Sequence, residues 1–154
     1  MGYQDQRLPI RYLGVPITPS RLTKLECRVL IEKIMARLTT WAKKSISFVG
    51  RAQLINSIIF GMYNYWATIF MLPKDVTDRI TPLCHQFLWG GSPDSRRVPS
   101  ISWATTCLPR KYGGYGVRNL TLWNQAGIAK LIWAVATKKD NLWVKWVHGK
   151  YLKT

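Results

Sequence analysis

Between Leu54 and Leu72 the chain reads LINSIIFGMYNYWATIFML, without one formal charge. A run of that length comes within reach of a bilayer crossing. Its polar residues decide against one. Gln53, Ser57, Asn64 and Thr68 follow at spacings of four, seven and four and so share one side of a helix, while Ile55, Ile58, Ile59, Met62, Tyr65, Trp66 and Ile69 share the other. A polar stripe beside a wide apolar face is the pattern of a helix at the centre of a small soluble domain. The expectation is a central helix over residues 51–70 and no membrane span.

Outward from this helix the pattern stays helical. Upstream, Ser20 can cap RLTKLECRVLIEKIMARLTTW, where Leu22, Leu25, Val29, Ile34, Leu38 and Trp41 recur at helical spacing, widened by Leu30 and Ile31. Lys24, Arg28, Glu32, Lys33 and Arg37 take the other side. The polar link KKSISFVG then leads into the central helix, with Gly50 easing the junction. Downstream, Leu72-Pro73 stops it, and Asp75 with Asp78 resembles a weak capping box for a third helix carrying Val76, Ile80, Leu83, Phe87 and Leu88. Pro82 predicts a kink or break near Thr81.

Residues 90–118 hold GGSPDSRR, PRK and GGYG around VPSISW, a turn-rich insertion that reads as a small hairpin or an ordered loop. Asn119 or Thr121 can cap a fourth helix through Leu122, Trp123, Ala126, Ala129, Trp133 and Ala136, and Asp140 or Asn141 can start a fifth, NLWVKWVHGKYL. The fold class expected is all-α, a bundle of about five helices with one irregular Gly/Pro-rich insertion. No repeat of twenty to fifty residues suggests a solenoid.

Composition narrows the function. Among 154 residues, 23 Lys plus Arg face 7 Asp plus Glu, a net charge of +16, while 47% of residues are hydrophobic. The apolar fraction suits one compact domain and excludes a disordered tail. Few cations can find an internal partner, so the field calls for an outside polyanion: nucleic acid first, an anionic membrane surface second, an acidic protein third. Cys27, Cys84 and Cys107 are odd in number and read as reduced thiols of an intracellular protein. With His85 and His148 they make no metal-ligand spacing, so no metal or cofactor is expected. The N-terminus has no apolar signal region, and Gln6 stands where a myristoylation motif would want Ser or Thr.

Chemistry of the chain's own is not expected. The carboxylates Asp5, Glu26, Glu32, Asp75, Asp78, Asp94 and Asp140 offer no convergent pair for acid/base or two-metal work. Asp75 and Asp78 suit a helix N-terminus, and Glu26 and Glu32 point to different sides of a helix. No GxSxG, P-loop, dinucleotide fingerprint or HExxH pattern occurs, and GGYG reads as a tight turn.

Six fragments, taken in order, carry a resemblance. They are RYLGVPI at Arg11 to Ile17, WAKKSISFVGRAQLINSIIF at Trp41 to Phe60, YWATIFMLPKDV at Tyr65 to Val76, FLWGG at Phe87 to Gly91, ISWATTCLPRKYGGYGVRNLTLWNQA at Ile101 to Ala126, and LWVKWVHGKYL at Leu142 to Leu152. Together they resemble the region after the catalytic palm in LINE-type (non-LTR) reverse transcriptases of plants. The chain departs from that pattern at Tyr115 of GGYG, Ile46, Val49, Gly127 and Pro82.

The resemblance implies that residues 1–19 are a remnant of the palm and primer-grip edge, 20–89 a thumb-like helical bundle, 90–118 an irregular connector and 119–154 the C-terminal helices. It implies a severed thumb and connector of an RNA-directed DNA polymerase, with the catalytic aspartates upstream and a zinc module downstream, so that this piece grips but does not polymerise. The implied partners are an RNA/DNA hybrid or duplex and the palm domain of the parent, whose element would act in the nucleus. Two other readings stand beside it: a vestigial structural or interaction fragment that needs the palm, and a basic amphipathic binder of membrane surfaces.

By motif, Lys43, Lys44 and Arg51 bracket the turn into the central helix, where a thumb would approach the nucleic-acid backbone. Arg96 and Arg97 sit in a loop, and Arg110, Lys111 and Arg118 flank the glycine turn; both groups are candidate phosphate clamps. Each residue has an alternative as solvated surface charge. Of the eight tryptophans, Trp41, Trp66, Trp89, Trp103, Trp123 and Trp133 read as core anchors, and Trp143 or Trp146 as exposed.

Overall fold

The computed structural model describes residues 10–12, 15–17 and 22–152. A short antiparallel ladder, β1 (Ile10–Tyr12) with β2 (Val15–Ile17), precedes a body that is helical throughout. Ser20 lies outside the described residues. The first helix, α1 (Lys24–Ala42), starts at Thr23, whose hydroxyl accepts the Glu26 N–H at 3.3 Å while the Glu26 carboxylate accepts the Thr23 N–H at 2.6 Å. That is a full capping box. Its buried seam is Cys27, Leu30, Ile34, Leu38 and Trp41, steps of three and four. Leu25, expected in the core, is exposed, because two residues before Cys27 lies the far side of the helix.

The central rod is one helix with an internal fault. It runs as α2 (Phe48–Leu54), a π-helical turn (Ile55–Ile59) and α3 (Phe60–Ala67). A π turn carries an extra residue per loop and rotates everything beyond it. The consequence is a one-residue shift of the buried face. Beyond Ile55 the predicted apolar set 58, 59, 62, 65, 66 becomes Ile59, Phe60, Tyr63, Trp66 and Ala67, all buried, while Ile58 and Tyr65 stay partly exposed. Gln53, Ser57 and Thr68 face outward as expected. Among the described residues no helix is long and apolar enough to cross a membrane.

The next helix, α4 (Lys74–Gly90), runs unbroken through Pro82. Pro82 is exposed, and so is Asp78, whose carbonyl loses its helical partner to the proline and can turn to water. The cap expected from Asp75 and Asp78 is absent. Pro73 stands at the cap position without a side-chain bond, and Asp75 instead pairs with Lys24, joining the starts of α1 and α4. The Lys24 ammonium holds the Asp75 carboxyl below its usual range. Both groups are well exposed, so the pair adds little stability.

Residues 91–119 form an ordered loop, the second of the two expectations, with a single turn of helix, α5 (Trp103–Thr106), capped by Ser102, and a 3-10 turn at Arg110–Tyr112. His85 Nε2 lies 2.9 Å from the Ile101 carbonyl and pins this loop to α4. Asn119 then caps α6 (Leu120–Ala136), and Asn141 caps α7 (Leu142–Tyr151).

One core holds α1 to α4 and the start of α6 together. Asn124 is its polar rivet. Its Oδ1 accepts the Leu72 N–H at 2.9 Å, and its Nδ2 donates to the Ala67 and Phe70 carbonyls, each at 2.8 Å, so the α3–α4 turn is satisfied by a side chain of α6. One turn later, a methyl on Gly127 would lie 3.4 Å from the Ala67 carbonyl. A methyl there would be in ordinary van der Waals contact, so α6 crosses close over the end of α3 at this point. Beyond that crossing the packing thins. Of α6 only Leu120 and Asn124 are buried, and of α7 only Val144. Trp123 and Trp133, expected in the core, are 46% and 66% exposed, alongside Trp143 and Trp146. Trp123 meets the Phe60 ring of α3 at 5.1 Å and is only partly covered by it.

Candidate functional site

Three aromatic rings bring three distant segments to one place. Ser47 caps α2 through the Gly50 N–H at 3.2 Å, which sets the direction of Phe48. The Phe48 ring meets Trp89 of α4 at 5.1 Å and Tyr115 of the glycine turn at 5.0 Å, and Trp89 and Tyr115 lie 5.7 Å apart. Such tilted and edge contacts fix ring orientation as well as burying area. The predicted basic residues hang on the elements that this cluster joins.

On one side, Arg51 and Arg97 converge on Gly90 and Gly91. The Arg51 Nη1 donates to the Phe87 carbonyl at 3.4 Å, a long bond at the negative end of α4. Gly91 closes that helix at φ 78°, and a side chain on it would sit 2.8 Å from the same Nη1. Any other residue at 91 would be strained and would displace the arginine. Burial, and after it the charge of Arg97, pulls the Arg51 guanidinium below its usual range. Among the described residues its Nε is buried without a partner. Arg97 is near enough for its charge to be felt at Arg51, and among the described residues neither arginine forms an ion pair.

On the other side, Asn56 fastens the glycine turn to the rod. Its Nδ2 donates to the Gly116 carbonyl at 3.0 Å and its Oδ1 accepts the Arg118 N–H at 3.0 Å. The Arg118 guanidinium then lies 4.5 Å over Phe60 and 5.4 Å over Trp123 and donates to the Asn56 carbonyl at 3.4 Å. Stacked this way it gives up little freedom and keeps an exposed edge. Arg110 flanks the same turn and lines a groove of about 340 Å³ beside Phe48, Val49, Gln53, Asn56 and Tyr115.

The remaining predicted residues are less organised. Lys43 ends α1, and Lys44 follows it with its backbone N–H on the Trp41 carbonyl at 2.9 Å; both side chains are exposed. Arg96 is exposed, and Lys111 rests over its neighbour Tyr112 at 4.7 Å. Among the described residues, none of the eight forms an ion pair. The structure thus sets Arg97 within electrostatic reach of Arg51, hangs Arg110 and Arg118 on the one glycine turn that Asn56 fastens, and leaves Lys43, Lys44, Arg96 and Lys111 as separate surface charges.

Sequence reasoning missed the residues that build the site: Phe48, Asn56, Gly91 and Tyr115. A signal existed for Asn56, a polar residue inside the apolar run LINSIIF.

No protein-family model matches the chain, and no solved structure matches it. Two proteins of Arabidopsis thaliana are similar in sequence. One, named "Putative ribonuclease H protein At1g65750", is 29% identical over 137 residues, which is 89% of this chain and 22% of that protein. The other, named "Uncharacterized mitochondrial protein AtMg00310", is 25% identical over 88 residues, 56% of this chain and 57% of that protein. The chain thus spans about a fifth of the first relative and just over half of the second.

Proposed function

We propose that this chain is a nucleic-acid-binding segment of a retrotransposon-derived protein, the thumb and connector of a LINE-type reverse transcriptase, which grips the template and primer backbone without chemistry of its own. The observation that carries the reading is four arginines, Arg51, Arg97, Arg110 and Arg118, on the elements that meet at the joint of α2, α4 and the glycine turn, none of which forms an ion pair among the described residues. Packed cations with no internal counter-charge gain most from an external polyanion, and phosphate oxygens accept from guanidinium edges of this kind. The name of the longer relative, a ribonuclease H protein, supports a setting in which nucleic acid is handled. The ordered fragments shared with LINE-type enzymes support the thumb assignment, with the palm as neighbour and the nucleus as the place of action.

A second reading, a fragment that docks on another surface through its C-terminal helices, is favoured by the exposure of Trp133, Trp143 and Trp146. Salt titration against an RNA/DNA hybrid separates the two. If about six phosphates are neutralised, log affinity falls against log salt with a slope of about −5, for unrelated sequences alike. A flat dependence, or affinity confined to one sequence, overturns backbone gripping and leaves the docking reading.

A further inference from the structure

The groove between α2 and the glycine turn has a composition that phosphate contact alone does not use. It encloses about 340 Å³, within the roughly 300 to 1,000 Å³ typical of small-ligand clefts. One wall is aromatic and held in place: Tyr115 meets Phe48 at 5.0 Å and Trp89 at 5.7 Å in T-shaped contacts. The lip is apolar yet open, with Val49 71% exposed. Of the two amides present, Asn56 is consumed by its bonds to Gly116 and Arg118, while the Gln53 amide has no partner among the described residues. Arg110 lines one edge, and Arg118 stands beyond Asn56 on the same turn. A planar heterocycle with hydrogen-bonding edges and an anion on either side answers each of these features.

We infer that this groove takes one unpaired nucleobase from a single-stranded stretch of the bound nucleic acid. The base lies against Tyr115 and Val49, its edge meets the Gln53 amide, and Arg110 and Arg118 hold the flanking phosphates. Stacking needs no particular base, so the pocket recognises that a base is unpaired and leaves its identity unread. The inference rests on the nucleic-acid reading above, and it adds that the chain prefers a junction between hybrid and single strand over a blunt hybrid.

The test is a pair of RNA/DNA hybrids with the same short overhang, one carrying 2-aminopurine at a single position and the other an abasic site there, so that phosphates are equal. The full chain should bind the base-bearing overhang about tenfold more tightly, as one stacked base supplies, and the fluorescence of 2-aminopurine should change on binding. Gln53→Trp fills the groove from an exposed position and Val49→Glu repels the strand from its lip. With helicity unchanged by circular dichroism, either should erase the tenfold difference. Equal binding of both overhangs with the steep salt slope intact overturns the pocket and leaves the proposed function standing. A tenfold preference that survives both Gln53→Trp and Val49→Glu places the base elsewhere and also overturns it. Failure to bind either overhang in dilute buffer overturns the proposed function itself.

Discussion

Ile34 and Ile132 are the same side chain on helices of nearly equal length, α1 and α6, yet one is fully buried and the other 63% exposed. Apolarity of the helix does not explain it. α6 carries one charged residue, Lys130, whereas α1 carries six, and α1 is the better buried. The difference lies in what stands opposite. α1 lies along α4 and touches α3, and the three share one core. The buried residues of α6, Leu120 and Asn124, lie in its first half against α3 and α4; after Gly127 the neighbour among the described residues is α7, which brings Val144 inward and leaves an open apolar groove of about 410 Å³ lined by Ile128, Leu131, Ile132, Val135, Ala136 and Trp143. Burial is a property of pairs of surfaces, and the second half of α6 has half a pair.

The sharpest way to break this contrast is to shorten both isoleucines. Ile34→Ala should lower the unfolding free energy by about 4 kcal/mol, within the range for a fully buried large-to-small change. Ile132→Ala should change it by less than about 0.5 kcal/mol, as at an exposed site. Denaturant titration of the two variants checks this, and equal losses would mean that the C-terminal helices share the core after all.

Asn124 stands on the seam between the two regions. Asn124→Ala leaves the Leu72 N–H and two carbonyls without their partner and should cost about 2 to 3 kcal/mol. It should also speed hydrogen exchange at the Leu72 amide more than anywhere on α7. Unchanged protection at Leu72 would show that the turn holds its own shape without the rivet.

The smallest effect at neutral pH concerns the thiols, all of which lie before α6. Burial pushes Cys84 up to about 12 and Cys27 and Cys107 up to about 11, from ordinary values near 9.0. Raised values mean that the fold favours the neutral thiol. The stability they contribute is therefore intact below pH 9 and declines as the pH rises from there toward 12, while the unfolded chain ionises first. Denaturation midpoints measured from pH 8 to 10.5 should fall above pH 9, and in the native chain partly exposed Cys107 should be alkylated before Cys84. Labelling of Cys84 first would show that the core opens more readily than the C-terminal contacts.

Much of the body was legible because its signals are local. Helical spacing located all five long rods, and Asn119 and Asn141 could be read as caps since an Asx side chain reaches its own next turn. The basic residues were legible as a surplus, and their placement in space was not. Arg51 and Arg97 are separated by all of α4, and nothing in the spacing of either points at the other. Pro82 misled for a related reason. A proline inside a helical pattern costs a hydrogen bond, but that cost falls sharply when the orphaned carbonyl faces water, and which way it faces is settled by packing.

The sequence by itself determined the helical class, roughly where each rod lies, and a surplus of positive charge, because periodicity and net charge are set within a few residues or by addition. Tertiary structure alone decided the rest. It placed the π turn that moved the buried face of the central rod by one residue, left Trp123 and Trp133 partly in solvent, and gathered arginines from distant segments at one joint. Each of these depends on which surface lies opposite, and a chain read residue by residue does not contain its own neighbours.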